Sequence, residues 1–230
     1  MLEMIAGRTP VDEELVNEVR EYIDRSTGIQ TIFQMKWLSE AVKRHGRNNP
    51  GFDDPWLYKT EYNNRLMEIV DARKMEIENG HKIPGDFMIR GSRGFLGALA
   101  EKGIELYAAS GTDHPDVVNE AGILGIKDCF REIAGAPPGK ADCSKEAVLR
   151  RLIGENVLKG TEVLVVGDGR VEIALGREVG AVTLGVASDE VRRHGINPVK
   201  RARLQKAGAH AIIGDFEETD KIINWLFDCI

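Results

Sequence analysis

The sequence predicts an α/β protein: a parallel sheet with helices on both faces, carrying a separate all-helical subdomain. Two patterns predict it. From residue 84 onward, short apolar runs alternate with helical stretches, and that alternation calls for parallel pairing through crossover helices. Between residues 11 and 83 no alternating strand pattern occurs; apolar residues recur instead at three-to-four spacing, the period of a helix face.

In the helical part, Leu15, Val16, Val19, Tyr22 and Ile23 mark one face, and Ile32, Phe33, Lys36, Trp37 and Ala41 a second. Asn48-Asn49-Pro50-Gly51 breaks the pattern, and Pro55 opens a further helix through Leu66, Ile69, Val70 and Ile77. After Ile83-Pro84-Gly85 the character changes. A helix over 93–102 ends at Gly103 and feeds a strand over 104–109. There follow a helix from Pro115, a strand over 131–134 and a helix from Ser144. Next come a strand over 163–166, a helix over 171–179 and a strand over 182–186. A helix over 198–207, a strand over 210–213 and a helix over 217–227 complete the series.

Composition narrows the function. With 230 residues the chain can bury one large core, or one core and a smaller subdomain. A hydrophobic share of 42% with 30% charged residues is that of a soluble globular protein. The net charge of -6, without a basic cluster, argues against a nucleic-acid partner, because phosphate-backbone binders concentrate Lys and Arg. No apolar run reaches the ~20 residues of a membrane span, so no membrane partner is expected. Cys129, Cys143 and Cys229 form no CxxC pair, which fits reduced thiols and a cytoplasmic location.

Ligands of open parallel sheets bind beyond the carboxyl ends of the strands, so the residues just after each strand matter most. The run Val163-Leu164-Val165-Val166 delivers Gly167-Asp168-Gly169-Arg170-Val171-Glu172 into a helix. Two carboxylates four apart can face one pocket, and oxygen ligands of this kind suit Mg²⁺; a plain helix cap is the alternative for Asp168. At a second strand end, Ser110-Gly111-Thr112 offers a hydroxyl and backbone N–H groups where a helix starts, an anion site or else a simple turn. Lys145 opens a third helix. A cation there opposes the helix dipole, so a negative group nearby would explain it; a solvated surface lysine is the alternative.

Hydroxyl, helix-opening lysine and GDGxxE, in this order, closely resemble the second, third and fourth motifs of the haloacid dehalogenase superfamily. The resemblance covers residues 84–230. It implies a Rossmann-like core, with 11–83 as the family's helical cap and 1–10 as the remnant of a core helix. It also implies a phosphohydrolase in which Ser110, Gly111 and Thr112 hold phosphate. Ser110 and Lys145 would belong to the catalytic set, with Lys140 as the other candidate for the lysine, and Asp168 and Glu172 would bind Mg²⁺.

The same resemblance exposes a gap. In that family the nucleophilic aspartate ends the first, central strand in a DxD signature, and no such strand is found here. Asp53-Asp54 lacks a preceding apolar strand and does not substitute. A sheet without its central strand should show two unpaired edges facing a slot, filled by a preceding segment of a longer protein or by another chain, unless the chain has rearranged to close it. The expected function is therefore a Mg²⁺-dependent, phosphoglycolate-phosphatase-like hydrolase of a small phosphorylated metabolite, inactive without the missing aspartate. The alternative is a catalytically dead phosphate- or metabolite-binding module of the same fold. A dinucleotide-binding reading fails, because the GxGxxG order is absent around Gly167 and Gly169.

Overall fold

The computed structural model describes residues 1–7, 10–46, 54–137 and 145–228. The described elements begin with α1 (Leu2–Ala6), α2 (Glu13–Ser26), α3 (Thr31–Arg44), α4 (Pro55–Glu78) and α5 (Ser92–Glu101). Strands and helices then alternate: β1 (Tyr107–Asp113), α6 (His114–Ile123), β2 (Glu132–Ala136), α7 (Lys145–Glu155), β3 (Leu164–Gly167) and α8 (Arg170–Glu178). The chain continues through β4 (Val182–Val186), α9 (Pro198–Lys206), β5 (Ala211–Ile213) and α10 (Thr219–Asp228).

The helical part packs on itself. Asp12 caps α2 by accepting from Leu15 N at 2.7 Å, and the helix buries Leu15, Val19 and Tyr22, one face at the expected spacing. Leu15 and Val19 meet Met35, Leu38 and Val42 of α3, Tyr58 of α4 and Ile5 of α1 in one cluster. Helix α4 starts where Pro55 predicts, with the Asp54 side chain accepting from Trp56 N at 2.9 Å. Asp54 is thus a helix cap; Asp53 lies outside the described residues.

The second part is the expected parallel α/β layer arrangement. Strand β4 is its centre. On one face Phe95 and Leu99 of α5 and Ile222 and Leu226 of α10 pack with Leu184 and Phe216. On the other, Ile173 of α8 and Leu204 of α9 pack with Ala187. All strand pairs are parallel, but among the described residues the strands form two sheets: β1-β2 and β3-β4-β5. Burial follows the division. Four of the five β4 residues are buried, whereas none of β1 or β3 is, and Val166 in β3 remains 38% exposed. The sheet therefore opens between β1 and β3, where the missing central strand was expected.

Most strand bounds shift by a residue or two, and β1 departs furthest from its expected start. The apolar run begins at Ile104, yet pairing starts at Tyr107, opposite Glu132; the residues before it precede any β2 partner, and Leu106 O only receives Arg131 N at 2.8 Å. The register is interrupted after Ala109 and resumes at Asp113 opposite Ala136. Ser110, Gly111 and Thr112 thus sit in an irregular stretch inside β1, not beyond its tip. Extra residues in a strand re-aim side chains this way.

The loop before β5 ties back to β4 through His210. Its Nδ1 accepts from Thr183 N at 3.0 Å, and its own backbone N–H donates to Thr183 Oγ1 at 3.1 Å. Burial holds the imidazole below its usual range, and the Arg177 guanidinium adds to this. The unfolded chain takes up the proton near pH ~6.5, the folded chain only lower. The stability contributed by neutral His210 is therefore present above that pH and lost as pH falls below it. The melting temperature should drop more steeply between about pH 7 and pH 5 in the parent than in His210→Gln; parallel curves would refute the linkage.

Candidate active site

Strand β3 ends at Gly167, still paired with Gly185 of β4, and the chain turns there into α8. Glu172, on the first turn of α8, folds back so that its Oε1 accepts from Gly169 N at 2.9 Å, satisfying one of the helix's open donors. The residue is 8% exposed. Its carboxyl group lies in a cradle of three glycines. A Cβ on Gly167 would overlap Glu172 Cγ, one on Gly169 would lie 2.6 Å from Oε2, and one on Gly28 would lie 2.5 Å from Oε2. The glycines of the GDG sequence thus serve the glutamate, not a dinucleotide.

Lys145 opens α7, and its Nζ lies 3.5 Å from Glu172 Oε1. This is the negative partner that its place against the helix dipole called for. Glu172 Oε2 is buried and has no hydrogen-bond partner among the described residues. Asp168 behaves differently: its side chain is 52% exposed, 3.7 Å from Lys200 Nζ, while its carbonyl accepts from Arg203 at 3.1 Å. The GDGxxE sequence therefore presents one carboxylate inward and one outward.

Ser110 Oγ accepts from Thr112 N at 3.1 Å, the simple turn allowed by the sequence. Gly111 lies under the helical part: a Cβ there would stand 3.1 Å from Ile29 O. Lys140, the other lysine candidate, lies outside the described residues, as do Ser144, Cys143 and Cys229; Cys129 carries a free thiol.

Sequence reasoning missed the group beside Ser110. Asp113 precedes α6 but makes no side-chain capping bond to it. Its Oδ1 pairs with Lys59 of α4, and its Oδ2 accepts from Asn63 Nδ2 at 3.1 Å. Lys59 and Asn63 are one helical turn apart, but only Tyr58 and Lys59 of that long helix are buried. A buried lysine beside a buried tyrosine has no signature in the sequence until the partner strand is placed.

Among the described residues no group of three or more His, Cys, Asp or Glu forms a ready-made metal cluster. Glu172, with one buried oxygen that has no partner among the described residues, fits a single carboxylate position on Mg²⁺, which takes one or two protein carboxylates and keeps waters for the rest; Asp168, turned outward beside Lys200, would have to swing inward to supply a second. Lys145 and Glu172 also line a cavity of 830 Å³ that runs between β1 and β3.

The parallel α/β sheet carries a lysine-held carboxylate after β3 and a hydroxyl turn within β1. The chain belongs to the haloacid dehalogenase-like hydrolase family, whose model matches residues 8–180. No curated protein matches it. Among solved structures it is similar to β-phosphoglucomutase (pgmB) from Clostridium difficile, with a TM-score of 0.63 and 15% identity, covering 94% of this chain and 86% of that one. It is also similar to a conserved haloacid dehalogenase-like protein of unknown function from Agrobacterium tumefaciens, with a TM-score of 0.51, 20% identity and coverage of 60% and 61%. A predicted phosphoglycolate phosphatase from Haemophilus somnus matches at a TM-score of 0.48, 21% identity and coverage of 58% and 56%. In two of these three matches the chain spans about three fifths of the other protein's length. At these identities the likeness concerns the fold.

Proposed function

We propose that this chain has the fold and the phosphate- and Mg²⁺-binding residues of a phosphomonoester phosphatase acting on a small phosphorylated metabolite in the cytoplasm, with no DxD signature after a strand among its described residues to supply the attacking aspartate. The observation that carries the reading is Glu172, seated in its glycine cradle, held by Lys145 and left with one free oxygen. Such an arrangement is what a site needs if it must present a fixed carboxylate next to a cation.

In this reading the Ser110 hydroxyl and the N–H groups of Gly111 and Thr112 grip the phosphate, and Lys145 offsets its charge. Asp168 and Glu172 would hold Mg²⁺, which when bound polarises a phosphoryl oxygen. Helices α2 to α4 would form the cap over residues 84–230; Ile29 and Lys59 stand close over β1, which favours small soluble substrates. No helix of the described residues is long and apolar enough to cross a membrane.

Chain and Mg²⁺ together should hydrolyse p-nitrophenyl phosphate no faster than buffer, since Ser110 has no base among its described partners. Calorimetry should show weak Mg²⁺ binding that Asp168→Asn abolishes. Robust Mg²⁺-dependent turnover, lost in Asp168→Ala, would show that a nucleophile lies within these residues. Unchanged Mg²⁺ affinity in Asp168→Asn would remove the metal assignment. The binding-module reading is favoured by one observation: among the described residues no DxD signature follows a strand. It predicts phosphate binding that no added segment converts into turnover.

A further inference from the structure

We infer that Arg203 is a positioning residue that ties the end of α2 to the loop after β3, so that one guanidinium holds in place the surroundings of both Asp168 and Glu172. The tie rests on the geometry around Arg203; its bearing on Mg²⁺ rests on the phosphatase reading.

The seat of Arg203 is set by its helix. Pro198 opens α9, and the Asn197 side chain caps it by accepting from Val199 N at 3.0 Å and Lys200 N at 3.1 Å. Leu204 is fully buried and packs with Ile173 of α8 and Ala187. The residue before it therefore leaves an anchored backbone.

The guanidinium reaches two stretches that lie 179 and 35 positions away in sequence. Its Nη1 donates to Asp24 Oδ1 at 3.1 Å and to Thr27 Oγ1 at 3.4 Å, at the end of α2. Its Nη2 donates to Asp168 O at 3.1 Å. The side chain is 10% exposed, and its Nε is buried with no partner among the described residues, so the two Nη groups seat it. A cation at the C-terminal end of α2 complements the helix dipole, and bonds from a charged donor are the stronger kind. One turn earlier on α9, Lys200 Nζ lies 3.7 Å from Asp168 Oδ2. The helix thus holds Asp168 at its carbonyl and faces its carboxylate.

The other end of the tie bears on Glu172. The Thr27 hydroxyl that accepts from Arg203 itself donates to Ile23 O at 2.7 Å, which fixes it to α2. Thr27 leads directly into Gly28, at a φ of 98° that suits glycine, and Gly28 is the wall of the cradle nearest Glu172 Oε2. A shift of the α2 end would loosen that wall, and a shift of the β3 loop would move Asp168. Lysine cannot take over, because a single ammonium lacks the planar fork that serves two directions.

The test perturbs one end and reads the other. In the full chain, hydrogen exchange at Gly169, whose N–H is bonded to Glu172, should quicken about threefold in Asp24→Ala and about tenfold in Arg203→Lys. The core amides of Ile222 and Ile223 should keep their parent rates, and Arg201→Lys, an exposed change on the same helix, should alter none of them. The double variant should exchange no faster than Arg203→Lys alone, since both substitutions break one connection. Unchanged exchange at Gly169 in Arg203→Lys, additive effects, or equal quickening at Ile222 and Ile223 would overturn the tie. The same samples are titrated with Mg²⁺ alone by calorimetry. Affinity that falls about two- to fivefold in Asp24→Ala supports both readings. Coupled exchange with no Mg²⁺ binding in the parent supports the tie and counts against the phosphatase, whereas coupled exchange with Mg²⁺ affinity equal in parent and variants overturns the bearing of Arg203 on the two carboxylates.

Discussion

Lys59→Met should lower the unfolding free energy by about 3 kcal/mol, the low end of what removing one partner of a buried ion pair costs. The Lys59 and Asp113 side chains are 9% and 16% exposed, so the pair is largely out of water. Without the ammonium, the Asp113 carboxylate keeps the Asn63 amide, a neutral donor that does not balance its charge. The loss is the desolvation of a charge left behind. Replacing both partners should therefore be milder, and Lys59→Met with Asp113→Leu should recover much of the difference. Urea unfolding of parent, two single variants and the double variant measures the coupling. A single-variant loss under about 1 kcal/mol would show that the pair behaves as a surface bridge.

Gly167→Ala should destabilise the protein by about 1–3 kcal/mol by overpacking. The added carbon would collide with the Glu172 side chain, which has no room to retreat between Gly169 and Gly28. Glu172 would have to leave Gly169 N, losing the bond that opens α8. Gly97→Ala is the control: it lies inside α5 with nothing within 4 Å of the added carbon. There alanine should be neutral or stabilising by up to about 1 kcal/mol. Equal destabilisation by the two would mean that Glu172 is not seated as described, and denaturation curves suffice to compare them.

The fold was legible wherever an element's own residues determine it. Pro55 and Asp54 mark the start of α4, and Asn197-Pro198 that of α9, because capping and proline act locally. The parallel series followed from apolar runs separated by helices. Legibility failed where a partner decides. Strand β1 begins at Tyr107 only because β2 begins at Glu132, and the chain near Ile104 cannot reveal that. Of the site, Lys145 was readable as a cation in an unfavourable place, and Glu172 proved to be its counter-charge. The expectation of two carboxylates turned into one pocket did not anticipate Asp168 facing solvent beside Lys200. Lys59 and Asp113 are 54 positions apart, beyond any local pattern.

The divided sheet also bears on how the protein behaves in concentrated solution. An uncovered strand edge is a template for any other extended chain, and nature usually blunts such edges with charge, proline or bulges. Here β3 reads Leu164-Val165-Val166-Gly167, with neither charge nor proline to discourage a neighbour. The irregular stretch from Ser110 to Thr112 roughens only the far part of β1. Where that edge stays uncovered, it favours pairing between molecules as concentration rises.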